Sequence, residues 1–219
     1  MRAKQVTKLI KPSTKDIHSF LNEKNALVVH FSGCPKGAGP GEKIFPDDLK
    51  DVLSGAITGA LSCSVVIPGD RYSHEPDEGN AIGTVGVILD VDGSNLTAVG
   101  HRDAGSYVDQ DNVRHAEPKD ITRNDLEESL TKRTTYNEWV VIPYDIKGVF
   151  IFNPDYILVR KMLEVQDCEE LIDGDDVISL QDLCSHFPEW EIFTFLEDKI
   201  AKLDRDSKSF IVQTEKFYG

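Results

Sequence analysis

Nothing in the 219 residues approaches the roughly 20-residue apolar run that a membrane-spanning helix needs. The amino-terminal stretch MRAKQVTKLIKPSTKD has no apolar core of the kind a secretory signal carries. The sequence therefore predicts a cytoplasmic protein without membrane contact. Cysteine is scarce: Cys34, Cys63, Cys168 and Cys184 form no CxxC pair and are too sparse for a disulfide framework, so reduced thiols are expected. Positive charge is scarce as well, with 24 Lys and Arg against 38 Asp and Glu and a formal net charge of -14. A duplex-DNA-binding face needs the opposite sign, because Lys and Arg at the phosphates supply most of the affinity. The deficit is concentrated between Glu164 and Asp206, where fourteen acids face three bases. That segment predicts a solvated acidic surface, or a docking face for a basic protein partner.

What the chain does have is a core, since 40% of its residues are hydrophobic. STKD (Ser13 to Asp16) has the form of a capping box, and Ile17, Phe20 and Leu21 follow at helical spacing. ALVVHFS reads as a buried strand, FPDDLKDVLSGAI as a helix with Pro46 at its start, and LSCSVVI as a second strand. GTVGVILDV and NLTAVGH, separated by DGS, read as a hairpin. NDLEESL predicts a short helix, and EWVVIPYDI followed by VFIF predicts two further strands, the first bulged or at an edge because of Pro143. From NPDYILVRKML onward the pattern reads as helical, with Pro154, Ser179 and Pro188 as starts and Trp190, Phe193, Leu196 and Leu203 near one face. The expectation is one α+β domain: a core over residues 1–163 and an acidic, mainly helical extension over 164–219.

Several chemistries compete for this chain. The glycine-rich GCPKGAGPGEK after the first strand lacks the Gly-Lys-Ser/Thr ending of a phosphate-binding loop. Cys63 with His101 and Asp103 supplies the residue types of a thiol hydrolase. His101, His115, Asp103 and Glu117 supply imidazole and carboxylate donors without a metal-binding spacing, and no metal is expected. HFSG (His30 to Gly33) and YNEWVV (Tyr136 to Val141) place a His at the end of one apolar strand and a Glu at the start of another. Burying either polar group costs about 1–3 kcal/mol unless it is paired, so each needs a structural or chemical reason to be there.

A first strand bearing His-x-Ser, a helix of the FPDDLKDVLSGAI kind and a late strand opening Asn-Glu-aromatic-Val-Val together resemble the ADP-ribosyltransferase superfamily. The likeness is to its diphtheria-toxin and poly(ADP-ribose)-polymerase branch, and it covers about residues 26–146. It implies a split antiparallel sheet and NAD as the substrate, with a macromolecular acceptor, protein or nucleic acid, or water in its place. It implies Glu138 as the catalytic carboxylate, His30 at a ribose hydroxyl, Ser32 and Gly33 beside nicotinamide, and Asn137 preceding the Glu. Tyr72 and Tyr107 are both available for the stacking Tyr of that family, and Arg71 for the cation of a DNA-modifying relative. The family carries Gly directly after the His, where this chain has Phe31. The setting, whether toxin, phage defence or housekeeping, stays open.

Overall fold

The computed structural model describes residues 14–31, 47–56, 59–69, 85–101, 121–132, 137–152, 154–155, 157–159 and 176–219. Helix α1 (Thr14–Glu23) buries Ile17, Phe20 and Leu21 completely, as their spacing predicts. It is followed by β1 (Leu27–Phe31), α2 (Asp47–Leu53), β2 (Leu61–Val66), β3 (Val85–Asp90) and β4 (Leu96–Gly100). Then come α3 (Arg123–Thr131), β5 (Glu138–Val141), β6 (Asp145–Ile151), β7 (Ile157–Val159) and β8 (Asp176–Ile178). The chain finishes with α4 (Leu180–His186), β9 (Ile192–Leu196), β10 (Lys199–Asp204) and β11 (Ser209–Val212). Thr122 with Asp125, and Ser179 with Asp182, close capping boxes at the starts of α3 and α4.

The fold is α+β. Nine strands form one sheet in the order β11-β10-β9-β6-β3-β1-β2-β5-β4, and β7 pairs with β8 separately. Every junction in the large sheet is antiparallel except β6 with β9, which is parallel. Strand β1 sits between β3 and β2, and β2 in turn lies beside β5, so strands far apart in the chain become neighbours in the sheet. Two glycines permit close packing here. A Cβ on Gly86 would lie 2.7 Å from the His30 carbonyl, and one on Gly148 would lie 2.7 Å from the Glu191 carbonyl.

The two faces of the sheet are covered differently. Trp139 of β5 is fully buried; it stacks on Phe20 of α1 at 6.4 Å and donates its indole N–H to Ser129 Oγ of α3 at 3.0 Å. On the other face Phe31, Phe150, Phe152 and Phe195 form a contiguous aromatic cluster. The carboxy-terminal Tyr218 closes a gap at the end of the β1–β3 ladder. That ladder ends at Val29 opposite Ile88, and the Tyr218 hydroxyl then accepts the Val28 N–H at 3.0 Å and donates to the Leu89 carbonyl at 3.4 Å. Asn22 of α1 holds the Tyr218 backbone, and His18 stacks on the ring at 5.6 Å while pairing with Asp90 at 3.3 Å.

Two sequence expectations are corrected. GTVGVILDV and NLTAVGH form β3 and β4, but the two do not pair: β3 lies between β6 and β1, and β4 lies at the far edge beside β5. The DGS segment makes a tight turn, with Asn95 Oδ1 accepting the Asp92 N–H and Asp92 Oδ1 accepting the Ser94 N–H. It ends one strand without setting a register for the next. The helical carboxy-terminal extension is likewise replaced, across the described residues 176–219, by strands and the single helix α4. Trp190, Phe193, Leu196 and Leu203 belong to a loop and to β9 and β10. Glu197 and Asp198 both take positive φ, 48° and 60°, as the two-residue hairpin turn between β9 and β10 requires. The segments 102–120 and 160–175 lie outside the described residues.

Candidate functional site

Sheet order brings together what sequence order separates. With β2 inserted between β1 and β5, His30, Ser62 and Glu138 occupy three adjacent strands. Glu138 opens β5 and is only 8% exposed; its Oε1 accepts a hydrogen bond of 2.5 Å from Ser62 Oγ. His30 Nδ1 lies 2.7 Å from the Ser62 carbonyl. A carbonyl only accepts, so Nδ1 carries the proton, and in the neutral ring Nε2 is then the acceptor nitrogen. One residue, Ser62, therefore ties the imidazole through its backbone and the carboxylate through its side chain.

The register shows how the three groups meet. Val28 opposite Val65 and Cys63 opposite Trp139 count His30 onto the Trp139 side of the sheet. Ser62 opposite Val140 counts Ser62 and Glu138 onto the other side. The β1–β2 ladder runs only from Leu27–Val66 to Val29–Ser64, whereas β1 stays paired with β3 through Phe31. Past Val29 the imidazole reaches the Ser62 carbonyl. The end of this seam is where a group on one side of the sheet reaches a group on the other.

Neighbouring polar residues stiffen the seam. Asn137 is fully buried: its Oδ1 accepts the Val65 N–H at 2.6 Å, its Nδ2 donates to the Val65 carbonyl at 3.0 Å, and its own carbonyl accepts Ser64 Oγ at 3.1 Å. It clamps β2 where β5 begins. Ser62, which fixes Glu138, is not among the residues that the sequence singles out. Its signal is the polar alternation Ser62-Cys63-Ser64 inside an apolar strand, which places two hydroxyls on the face that Glu138 shares.

The remaining expected residues fare differently. Ser32, Gly33, Arg71, Tyr72 and Tyr107 lie outside the described residues, as do Asp103, His115 and Glu117. Among the described residues no group of three or more His, Cys, Asp or Glu gathers for a metal. Cys63 is 2% exposed on the Trp139 face, and burial, with the nearby Glu138 charge, pushes its thiol well above the usual range. A nucleophilic Cys needs the opposite environment, so the thiol hydrolase built on Cys63 and His101 loses its thiolate. No protein-family model, curated protein or solved structure matches the chain.

Proposed function

We propose that this chain is an NAD-dependent ADP-ribosyltransferase, or an NAD glycohydrolase, whose catalytic carboxylate is Glu138. The observation that supports the reading is the buried Glu138 carboxylate fixed by the Ser62 hydroxyl; His30 counts onto the opposite side of the sheet and reaches this seam only through the Ser62 carbonyl. Ser62 gives the buried Glu138 a partner and orients both it and the half-exposed His30.

The chemistry suits that set. The bond between nicotinamide and ribose breaks with its electron pair leaving on nicotinamide, and positive charge develops at the sugar, as in glycoside hydrolysis. A carboxylate fixed by the Ser62 hydroxyl offsets that charge and accepts from the adjacent ribose hydroxyl, and both interactions strengthen in the transition state. The acceptor, a macromolecular nucleophile or water, then forms its bond to the anomeric carbon and gives up a proton, for which Glu138 is the nearby base. His30, held by the Ser62 carbonyl, is the residue that the resemblance assigns to a ribose hydroxyl. The acceptor and any transfer to protein or nucleic acid belong to this proposal, as do NAD itself and the cytoplasmic setting.

A thermal-shift titration tests binding directly. A ligand at 100 times its dissociation constant stabilises the folded state by about 2.7 kcal/mol, so NAD should raise the melting temperature by several degrees. No shift at millimolar NAD would count against the reading.

A further inference from the structure

Strand β11 ends the nine-stranded sheet, and its outer edge pairs with nothing among the described residues. The Gln213 N–H bonds inward to the Ile200 carbonyl at 2.8 Å, and Ile211 and Ser209 follow at the same period opposite Lys202 and Asp204. The alternation of an antiparallel ladder then turns the N–H and C=O of Phe210 and Val212 outward. Edge strands are normally blunted by Lys, Pro or a bulge. The β11 sequence SFIV has no charge and no Pro, and Ile211, 53% exposed, is the exposed large hydrophobic residue among those described.

An open cleft of about 470 Å³ lies on the face of this end of the sheet, with Ile211 of β11 at its rim and Pro188, Glu189, Trp190, Asp204 and Asp206 among its lining. Its wall is fixed, because Arg205 donates to the carbonyls of Phe187 at 2.7 Å and Trp190 at 2.8 Å. Glu191 and Lys202 pair with each other. That leaves Glu189, Asp204 and Asp206 against Arg205. The Asp204 carboxyl is held below the usual carboxylate range by the Ser207 hydroxyl and the Asp206 N–H, and so stays ionised.

We propose that the β11 edge and its acidic cleft dock an extended basic segment of a partner protein, which adds to the sheet as a tenth strand. The outward groups of Phe210 and Val212 supply the backbone pairing, the acids on the Ile211 face receive Lys or Arg, and the alternate apolar side chains pack beside Phe210 and Val212 on the opposite face. A second copy of this chain is a poorer occupant, since it would bring its own Glu189, Asp204 and Asp206 to the same place. The four-residue length of β11 suits one short segment rather than open-ended stacking. This surface is independent of the Glu138 site and of the reaction proposed for it.

The test uses dye-labelled octapeptides, Lys-Val repeats and Glu-Val repeats, titrated into the full chain by fluorescence anisotropy and by Trp emission. The Lys-Val peptide should bind, with affinity falling as salt rises, and the Glu-Val peptide should not. Val212→Pro removes an outward N–H that β10 does not use, and should weaken binding tenfold or more with the fold retained by circular dichroism. Glu189→Lys combined with Asp206→Lys should weaken binding and flatten its salt dependence, which keeps the test decisive if the Pro variant misfolds. Two results overturn the proposal: equal Lys-Val affinity in wild type and both variants, or self-association of the wild type through this edge that Val212→Pro abolishes.

Discussion

Ser62 on β2 donates its hydroxyl to Glu138 on β5 over 2.5 Å, while its carbonyl receives the His30 imidazole of β1 at 2.7 Å. Seventy-six positions separate Ser62 from Glu138, yet in the sheet they are diagonal neighbours on one face. Much of the site's behaviour should follow from this single serine.

Replacing it gives the first expectation. A hydrogen bond to a charged group is worth about 1.5–3 kcal/mol, which as lost orientation of Glu138 corresponds to roughly a ten- to hundredfold fall in turnover. Ser62→Ala should show that fall in NAD consumption with an almost unchanged Michaelis constant. Because the Ser62 side chain is exposed at the strand's end, the melting temperature should move by only a degree or two. A large loss of stability with intact turnover would make Ser62 a packing residue.

Asn137 should behave the other way round. Its side chain satisfies both the N–H and the carbonyl of Val65, and truncation leaves two buried backbone groups without partners, at about 1–3 kcal/mol each. Asn137→Ala should lower the urea midpoint strongly, and at temperatures where the variant stays folded its NAD affinity should match wild type. An NAD affinity lost at full stability would restore the ligand contact that the sequence suggested.

His30 tests whether the seam serves one ligand. Its ring counts onto the Trp139 side of the sheet and meets Ser62 only where the β1–β2 ladder has ended. If both groups reach NAD there, His30→Ala should weaken NAD binding about tenfold, the equivalent of 1.4 kcal/mol. Unchanged binding by calorimetry would separate His30 from the Glu138 site.

Stability should fall in alkali for a reason visible in the core. Cys63 and Tyr218 are both buried, and burial pushes the thiol and the phenol well above their usual ranges. Unfolded, they release protons near pH 8.5 and 10 respectively. Above those values the unfolded chain binds fewer protons than the folded one, so the stability they contribute is fully present below about pH 8.5 and declines as pH rises. Melting temperature measured from pH 7 to 10.5 should fall throughout the upper range. Cys63→Ala should flatten the first part of that fall; a level profile to pH 10 in the wild type would contradict it.

The parts of this fold legible in the sequence are those whose signals are local. Ile17, Phe20 and Leu21 mark α1 by spacing alone, and the apolar runs around Val28 and Val65 mark β1 and β2. What failed was pairing and context. The Asp92–Asn95 turn looks like a hairpin turn, but which strand β4 joins is decided by Trp139 and Val141 of β5, more than forty residues on. In IFTFLEDKIAKLD, apolar residues fall at spacings that suit a helix as well as two strands. The turn at Glu197 and Asp198, without a glycine, hides the hairpin. His30 and Glu138 stood out because each is polar within an apolar run. Ser62 did not, because a serine in a strand is unremarkable until β5 arrives beside it.

The most direct measurement compares NAD consumption and nicotinamide release by wild type and Glu138→Gln, with circular dichroism and melting temperature on the same preparations. Gln keeps the shape and an acceptor for Ser62 but removes the charge that the sugar's transition state needs. The account predicts nicotinamide release by the wild type, a fall of about a hundredfold or more in Glu138→Gln, and little change in NAD affinity or fold. Equal nicotinamide release by the two proteins, or none by a folded wild type supplied with NAD, would contradict it.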